Sequence, residues 1–246
     1  MKQDNTSSDF YSCLEQIGNH FNQHLFSGKL PPILFTLSGN MKMLGHFRYA
    51  NWSAGESDVS EIILNADLFA YRPWIDLFKT VVHQQCHIYQ CVNEGSSRPT
   101  YHNRRWAASM KDRGLTPSST GKPGGAETGQ MMGEYINVKG LFIKHSIALV
   151  KTGLVFPVTN SSLCNEQINI EEDLPSNIEQ SIREKLLSPI GNSYEVESRG
   201  LAEKSNGKTK YVCGGCIGTV WGKPDLKIYC GKCDGMEYAV QPSPQV

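Results

Sequence analysis

Two histidines at helical spacing are the first residues in this chain whose types suit metal chemistry. His83 and His87 stand four residues apart in the stretch TVVHQQCHIYQ. On a helix, side chains at this spacing share one face with Cβ atoms about 5–6 Å apart, so both imidazoles can reach one ion. A catalytic zinc needs three protein ligands, and His102 after the next loop is the candidate third. By themselves, the two helix histidines fit equally a surface pair that shares a face by chance.

Four cysteines near the end of the chain form a second candidate metal site: Cys213, Cys216, Cys230 and Cys233. Two Cys-x-x-Cys pairs separated by 13 residues match the tetrahedral four-thiolate coordination of structural zinc. In a reducing compartment such clusters favour metal over disulfides. The pattern predicts a zinc ribbon over residues 208–240 that depends on its ion for most of its folding energy.

The composition indicates a globular protein whose net charge gives no reason to expect binding to polyanions. The chain has 246 residues, 39% hydrophobic and 20% charged, and its formal net charge is zero. No apolar run reaches the roughly 18 residues of a membrane span, and the polar start MKQDNTSSDF lacks the core of a signal peptide. We therefore expect a cytoplasmic protein of one or two domains with no membrane partner.

The elements that must position these residues follow from hydrophobic periodicity. Apolar spacing predicts helices over 8–27, 73–92 and 103–113, with a shorter one near 176–187. Alternating stretches predict three strands, in ILFTLSG, GHFRYANWS and SEIILNA. Residues 114–130 read as a glycine-rich loop and residues 134–158 as strand-like or mixed apolar structure. The histidine helix should bury one apolar stripe, formed by Trp74, Phe78, Val82, Cys86 and Tyr89.

These motifs, in this order, resemble the SprT-like zinc metalloproteases. The similarity rests on HLFSGKLPP after the first helix, on the histidine helix, on YHNRRWAASMKDRGLTPSSTGKPGG and on the terminal ribbon. It implies an α+β fold, with a zincin-like metallopeptidase domain over 8–158, a polar acidic linker over 159–207 and a zinc ribbon over 208–240. It also implies two zinc ions, one bound by His83, His87 and His102 and one bound by the four cysteines.

Gln84 stands where that family carries its catalytic glutamate. The resemblance implies that a carboxylate there takes a proton from the attacking water and delivers it to the leaving amine. A glutamine amide is nearly isosteric but has no useful basicity, and general acid–base catalysis is worth about 10²–10⁴ in rate. We therefore predict a retained zinc site with impaired hydrolysis. A natural loss, an engineered inactivation and a sequencing variant would each leave glutamine here.

Other side chains near this position offer weaker routes to catalysis. Gln85 brings no carboxylate into register, and Glu94 lies about 10 Å or more further along the helix. Glu134 would reach the site only through the fold. Cys86 and Cys91 are interpreted as buried thiols rather than as a nucleophile or ligand. The remaining histidines, His20, His24, His46 and His145, are interpreted as surface or satisfied core residues.

Two functions therefore stay open from the sequence. The first is a SprT-like metallopeptidase that hydrolyses protein substrates, including proteins attached to DNA, with impaired activity. The second is a catalytically inactive zinc protein that recognises DNA or protein through its ribbon. Residues 199–246 carry seven basic and four acidic side chains, and Trp221 or Tyr229 can stack on a base. The oligomeric state has no signal in the sequence.

Overall fold

The structure is a computed structural model that describes residues 5–39, 43–66, 72–95, 101–157, 174–190 and 209–240. The chain divides into two compact units, Met1–Tyr194 and Glu195–Val246. Helices and small sheets are mixed in the first unit, which confirms the predicted α+β class. Within the described ranges, every helix is too short or too polar to span a membrane.

The first unit opens with a long helix and a three-stranded sheet. Helix α1 spans Thr6–Leu25, and strands β1, β2 and β3 span Ile33–Ser38, Gly45–Ala54 and Ser57–Asn65. The strand order is β1-β3-β2, with β1 parallel and β2 antiparallel to β3. Strand β3 is the central strand of this sheet, and its residues 60–65 are all buried. This burial agrees with the apolar run in its sequence. All three predicted strands are confirmed.

Helix α2, Trp74–Glu94, carries the histidine pair and packs its opposite side into the core. Trp74, Phe78, Val82 and Cys86 are buried as the periodicity predicted, and Tyr89 packs against them while partly exposed. This packing fixes the rotation of α2. The face that carries the histidines is therefore set by the apolar stripe behind it.

Helix α3, Arg104–Asp112, confirms the predicted second helix and begins at a side-chain cap. The Asn103 side chain accepts a 2.9 Å hydrogen bond from the backbone nitrogen of Trp106. This bond satisfies one of the free amides in the first helical turn. It also fixes the start of α3 directly after His102.

The segment after α3 differs from its sequence prediction. Strand β4, Leu115–Ser118, starts inside the predicted loop and pairs with β5, Gly133–Ile136. Within the segment predicted as strand-like or mixed apolar structure, β5 is a strand, whereas Leu141–Lys151 forms helix α4. The physical reason is visible in its burial, since the buried residues Phe142, Ile143, Ser146 and Leu149 follow helical spacing.

Two glycines allow the backbone at the end of α3 to pass close to the start of α4. Gly114 has a φ of +89°, and a Cβ there would lie 2.8 Å from the backbone nitrogen of Leu141. A Cβ on Gly140 would lie 2.6 Å from the Cα of Gly114. Larger residues at either position would separate β4 from α4.

Part of the predicted linker over 159–207 belongs to the packed first unit. Helix α5, Gln180–Leu187, buries Ile182 and Leu186 in the core. Backbone hydrogen bonds of 3.2 Å from Trp74 to Ser188 and of 3.0 Å from Ile190 to Arg72 join this segment to the start of α2. Residues 174–190 are therefore not a free linker, because their apolar side chains cover α2. The rest of the predicted linker lies outside the described residues.

The described part of the second unit, residues 209–240, contains four short strands, each paired in antiparallel fashion. Strands β6, β7, β8 and β9 span Thr209–Cys213, Thr219–Gly222, Tyr229–Cys230 and Met236–Val240, in the order β7-β6-β9-β8. The buried Tyr211 donates its hydroxyl to the Lys223 carbonyl at 2.6 Å and accepts from the Leu226 amide at 3.0 Å.

Candidate metal centres

The three predicted zinc ligands of the first unit lie together. His83 and His87 are one turn apart on α2. Together with His102 they supply three ring nitrogens, one from each residue, that all lie within 4.8 Å of one another. The Nε2 atoms of His83 and His102 are 3.2 Å apart. Two nitrogens bound to one tetrahedral zinc at about 2.0–2.1 Å would be about 3.3–3.4 Å apart. The donor atoms therefore fit a single zinc ion.

Aromatic rings hold the three imidazoles in place. The buried Trp106 lies against all of them, with ring centroids 4.8 Å from His83, 5.2 Å from His87 and 4.4 Å from His102. Phe47 on β2 stacks on His87 at 4.8 Å with an interplanar angle of 5°. The core and the sheet thus help to position the three rings.

Outer hydrogen bonds determine which nitrogen of His83 and of His102 is available to an ion. His83 Nδ1 lies 3.0 Å from a carboxylate oxygen of Glu134, and His102 Nδ1 lies 3.2 Å from the Gly129 carbonyl. With both Nδ1–H groups donating, each Nε2 keeps its lone pair for metal. The backbones of His102 and Gly129 also exchange hydrogen bonds of 2.7 and 3.1 Å. The glycine-rich loop is therefore a support for the third histidine.

Burial favours the metal-binding form of two of the three histidines. Burial lowers the pKa of His87 well below its usual range, and the nearby His83 and His102 lower it further. Burial and the charge of His83 lower the pKa of His102 to about 4. Burial alone would raise the pKa of Glu134, but neighbouring cationic groups, His83 first among them, lower it. A low pKa keeps His87 and His102 as neutral imidazoles, the form that binds zinc.

Gln84 lies between the two helix histidines and is only 7% exposed. The first residue of β2 passes over it, since a Cβ added to Gly45 would lie 2.6 Å from the Thr80 methyl and 3.6 Å from Gln84 Cγ. Glu134 does reach the site. Its carboxylate, however, binds the Nδ1 side of His83, opposite the nitrogen that faces His102. This contact suits Glu134 to orienting the His83 ring rather than to standing in for a carboxylate at position 84.

The other side chains of α2 that could act as catalytic groups are unsuited to that role. The Gln85 amide donates to the Gly18 carbonyl of α1 at 2.8 Å and is fully buried. Burial raises the pKa of the Cys86 thiol to about 12 and also raises that of Cys91, so neither thiol is a ready nucleophile. The side chain of Glu94 lies outside the described residues.

An open cleft is formed by residues that flank His102. Its volume is about 410 Å³, and its lining residues are Tyr101, Asn103, Arg104, Arg105 and Thr128. Both arginines are largely exposed. Their guanidinium groups give this side of the site a positive charge that suits carboxylates or phosphates.

The four cysteines of the second unit also converge. Their sulfur atoms lie within 4.8 Å of one another, and the Sγ atoms of Cys216 and Cys230 are 3.7 Å apart. Two sulfurs on one tetrahedral zinc, at about 2.3 Å from the ion, would be about 3.8 Å apart. Backbone hydrogen bonding at Lys232 lowers the pKa of the Cys230 thiol to about 6, which favours the thiolate. The cysteines among the described residues are free rather than disulfide-bonded.

A second histidine cluster was missed from the sequence. His20 and His24 on α1 come together with His145 on α4, with one ring nitrogen from each within 4.8 Å of the others. The available signal was the spacing of His20 and His24, which equals that of the zinc pair on α2. His145 had no such signal, because α4 was not predicted.

Comparison with known proteins supports the resemblance for the first unit. The model of the SprT-like family matches residues 14–120, which include both histidines of α2 and His102. Glu134, α4 and the cysteine cluster lie beyond the matched range. No curated protein and no solved structure matches the chain. The predicted SprT-like resemblance is confirmed by this match, and the converging cysteines are consistent with the ribbon.

Proposed function

We propose that this chain, SprT-like over residues 14–120, is a zinc protein built on a metallopeptidase site whose hydrolytic activity is impaired by Gln84. The observation that carries the proposal is the 3.2 Å approach of the His83 and His102 Nε2 atoms. Their Nδ1 atoms are engaged by Glu134 and Gly129. The substrate class would be proteins or peptides.

The side chains of the proposed site would have different chemical roles. When bound, zinc supplies Lewis-acid polarisation of a carbonyl and acidification of water. Three histidines would hold it, and Glu134 would orient one of them. The Gln84 amide can hydrogen-bond a water molecule but cannot accept its proton. The site can therefore bind and orient a substrate, while the proton transfer lacks its acceptor.

The orienting role of Glu134 gives a test of the zinc site that does not require activity. We expect Glu134→Gln to weaken zinc binding at the histidine site about 10–100-fold, because the Nδ1 partner of His83 loses its charge. His87→Ala should remove that tightly bound ion altogether and leave the ribbon ion. Competition of the purified chain with a chromophoric zinc chelator measures both effects.

The matched control is Glu127→Gln, which removes an exposed carboxylate of the glycine-rich loop that pairs with Lys111 of α3. It should leave both tightly bound ions unchanged. Retention of both ions in His87→Ala would refute the histidine site. An unchanged affinity in Glu134→Gln would refute the orienting role of Glu134.

Binding of DNA by the ribbon is the second proposed function, supported by its surface. Trp221 and Tyr229 are 62% and 59% exposed, although large aromatic rings are usually covered. Trp221 pairs in register with Lys210 across β6 and β7, so an aromatic ring and a cation share one face. Exposed rings beside lysines suit unpaired bases and phosphates, which favours single-stranded DNA.

We expect Trp221→Ala to weaken binding of single-stranded DNA about 5–150-fold, which corresponds to the loss of about 1–3 kcal/mol of stacking. Ile217→Ala is the matched control, since Ile217 is 76% exposed but offers no ring face. Binding should also fall as salt rises, because phosphate contacts release counterions. Fluorescence anisotropy at several salt concentrations measures both. An equal loss in Ile217→Ala, or affinity independent of salt, would contradict the proposal.

A further inference from the structure

The second histidine cluster has the composition of a metal site that the SprT-like resemblance does not include. We propose that His20, His24 and His145 bind a transition-metal ion, with Zn²⁺ as the natural candidate, and that this ion joins α1 to α4. The site is separate from the three-histidine centre on α2. It also stands independently of any peptidase activity.

The geometry brings three imidazoles to one point from two helices. Ring centroids lie 4.6 Å apart for His20 and His24, 4.5 Å for His24 and His145, and 6.1 Å for His20 and His145. One ring nitrogen from each lies within 4.8 Å of the other two. Nitrogens bound to one tetrahedral zinc lie about 3.3–3.4 Å apart, so binding an ion here requires the rings to draw closer by small rotations.

A backbone hydrogen bond prepares one of the ligands. His20 Nε2 lies 2.9 Å from the carbonyl oxygen of His145. If Nε2–H donates there, the lone pair of His20 is on Nδ1 and is free for a metal. A carbonyl likewise supports His102 in the first centre, where the Gly129 carbonyl accepts from the ring. Such outer hydrogen bonds are usual around metal-bound histidines.

The donor atoms of the cluster suit a transition-metal ion. Imidazole nitrogens bind zinc, nickel or copper, whereas magnesium and calcium prefer oxygen ligands. His24 is exposed, so an ion can enter from solvent.

The helices that the ion would join already pack against each other. Phe21 of α1 and Phe142 of α4 stack with ring centroids 5.9 Å apart. Helix α1 also contacts the histidine helix through the Gly18–Gln85 hydrogen bond. An ion that binds the folded unit and not the unfolded chain must raise its melting temperature.

The test uses the full chain and Zn²⁺ alone as the probe. Isothermal titration of the chelator-stripped protein should show two tight equivalents and a third, weaker one. His24→Gln should abolish the third equivalent, while His87→Ala should remove a tight one and keep the third. Zinc added beyond two equivalents should raise the melting temperature of the first unit by a few degrees more in the native chain than in His24→Gln, which keeps the shift caused by the α2 site.

Lys144→Gln is the matched control, since it alters an exposed neighbour on α4 without removing a ligand. It should keep the third equivalent and the thermal shift. His145→Gln, from the other helix, provides a second loss variant, and circular dichroism in chelator shows that each variant is folded. A zinc stoichiometry that is the same in the native chain and in both loss variants would overturn the proposal.

Discussion

Gln84→Glu is expected to raise the peptidase activity of the zinc-loaded chain about 10²–10⁴-fold. The substitution nearly keeps the shape of the side chain and converts an amide into a carboxylate that accepts a proton. The surroundings are already those of the site, because position 84 lies between His83 and His87 beneath the start of β2. The measurement is kcat/KM on an unfolded protein or peptide mixture, with zinc-loaded native chain alongside.

Two controls separate a restored proton acceptor from an added negative charge. The double variant Gln84→Glu with His87→Ala should be inactive, since it has the carboxylate but lacks a zinc ligand. Gln130→Glu places a carboxylate in the exposed loop next to Gly129 and should not raise activity. If the zinc-loaded Gln84→Glu chain cleaves nothing, the peptidase proposal fails and the inactive binding protein is favoured.

The histidine helix was predictable because its pattern is local. The apolar stripe of α2 follows helical spacing, and the same spacing places His83 and His87 on one face. His102 followed from the order of the motifs. The hydrogen bond that supports it at Gly129 could not be predicted in this way, because it joins residues 27 apart through a backbone bridge. Periodicity carries no information about such pairing.

Glu134 shows the same limit more clearly. It lies 51 residues after His83 in the chain, in a four-residue strand that pairs with β4. A strand this short carries too few residues for an alternating pattern to stand out. The sequence could name Glu134 as an acid that the fold might bring near, but only the β4–β5 register brings its carboxylate to His83.

The cluster formed by His20, His24 and His145 was hidden for a different reason. The run LFIKHSIALV is apolar enough that helix and strand are hard to distinguish by periodicity alone. Once α4 is recognised as a helix, its buried residues define a face, and His145 lies partly buried at its border.

The segment 174–190 was mistaken for linker because its few apolar residues stand among many polar ones.

The cysteine cluster should have a large effect on the folding of the ribbon. Within the described ribbon residues 209–240, the buried side chains are those of Tyr211, Cys213 and Cys230. So small an apolar interior cannot offset the conformational entropy of about 30 ordered residues. Structural zinc in such units contributes about 10–16 kcal/mol at neutral pH, so the ion takes the place of a core.

Cys216→Ser is therefore expected to unfold the ribbon and to remove one tightly bound zinc, while the first unit stays folded. Cys216 is only partly buried, so the change removes a ligand without opening a large cavity. Hydrogen exchange should show lost protection at the Cys213 amide, which donates to the Gly218 carbonyl at 3.0 Å. Cys91→Ser, a partly buried cysteine on α2, should change neither zinc content nor exchange in the ribbon. Protection at Cys213 that survives in zinc-free Cys216→Ser would mean that the strands hold the ribbon together without the ion.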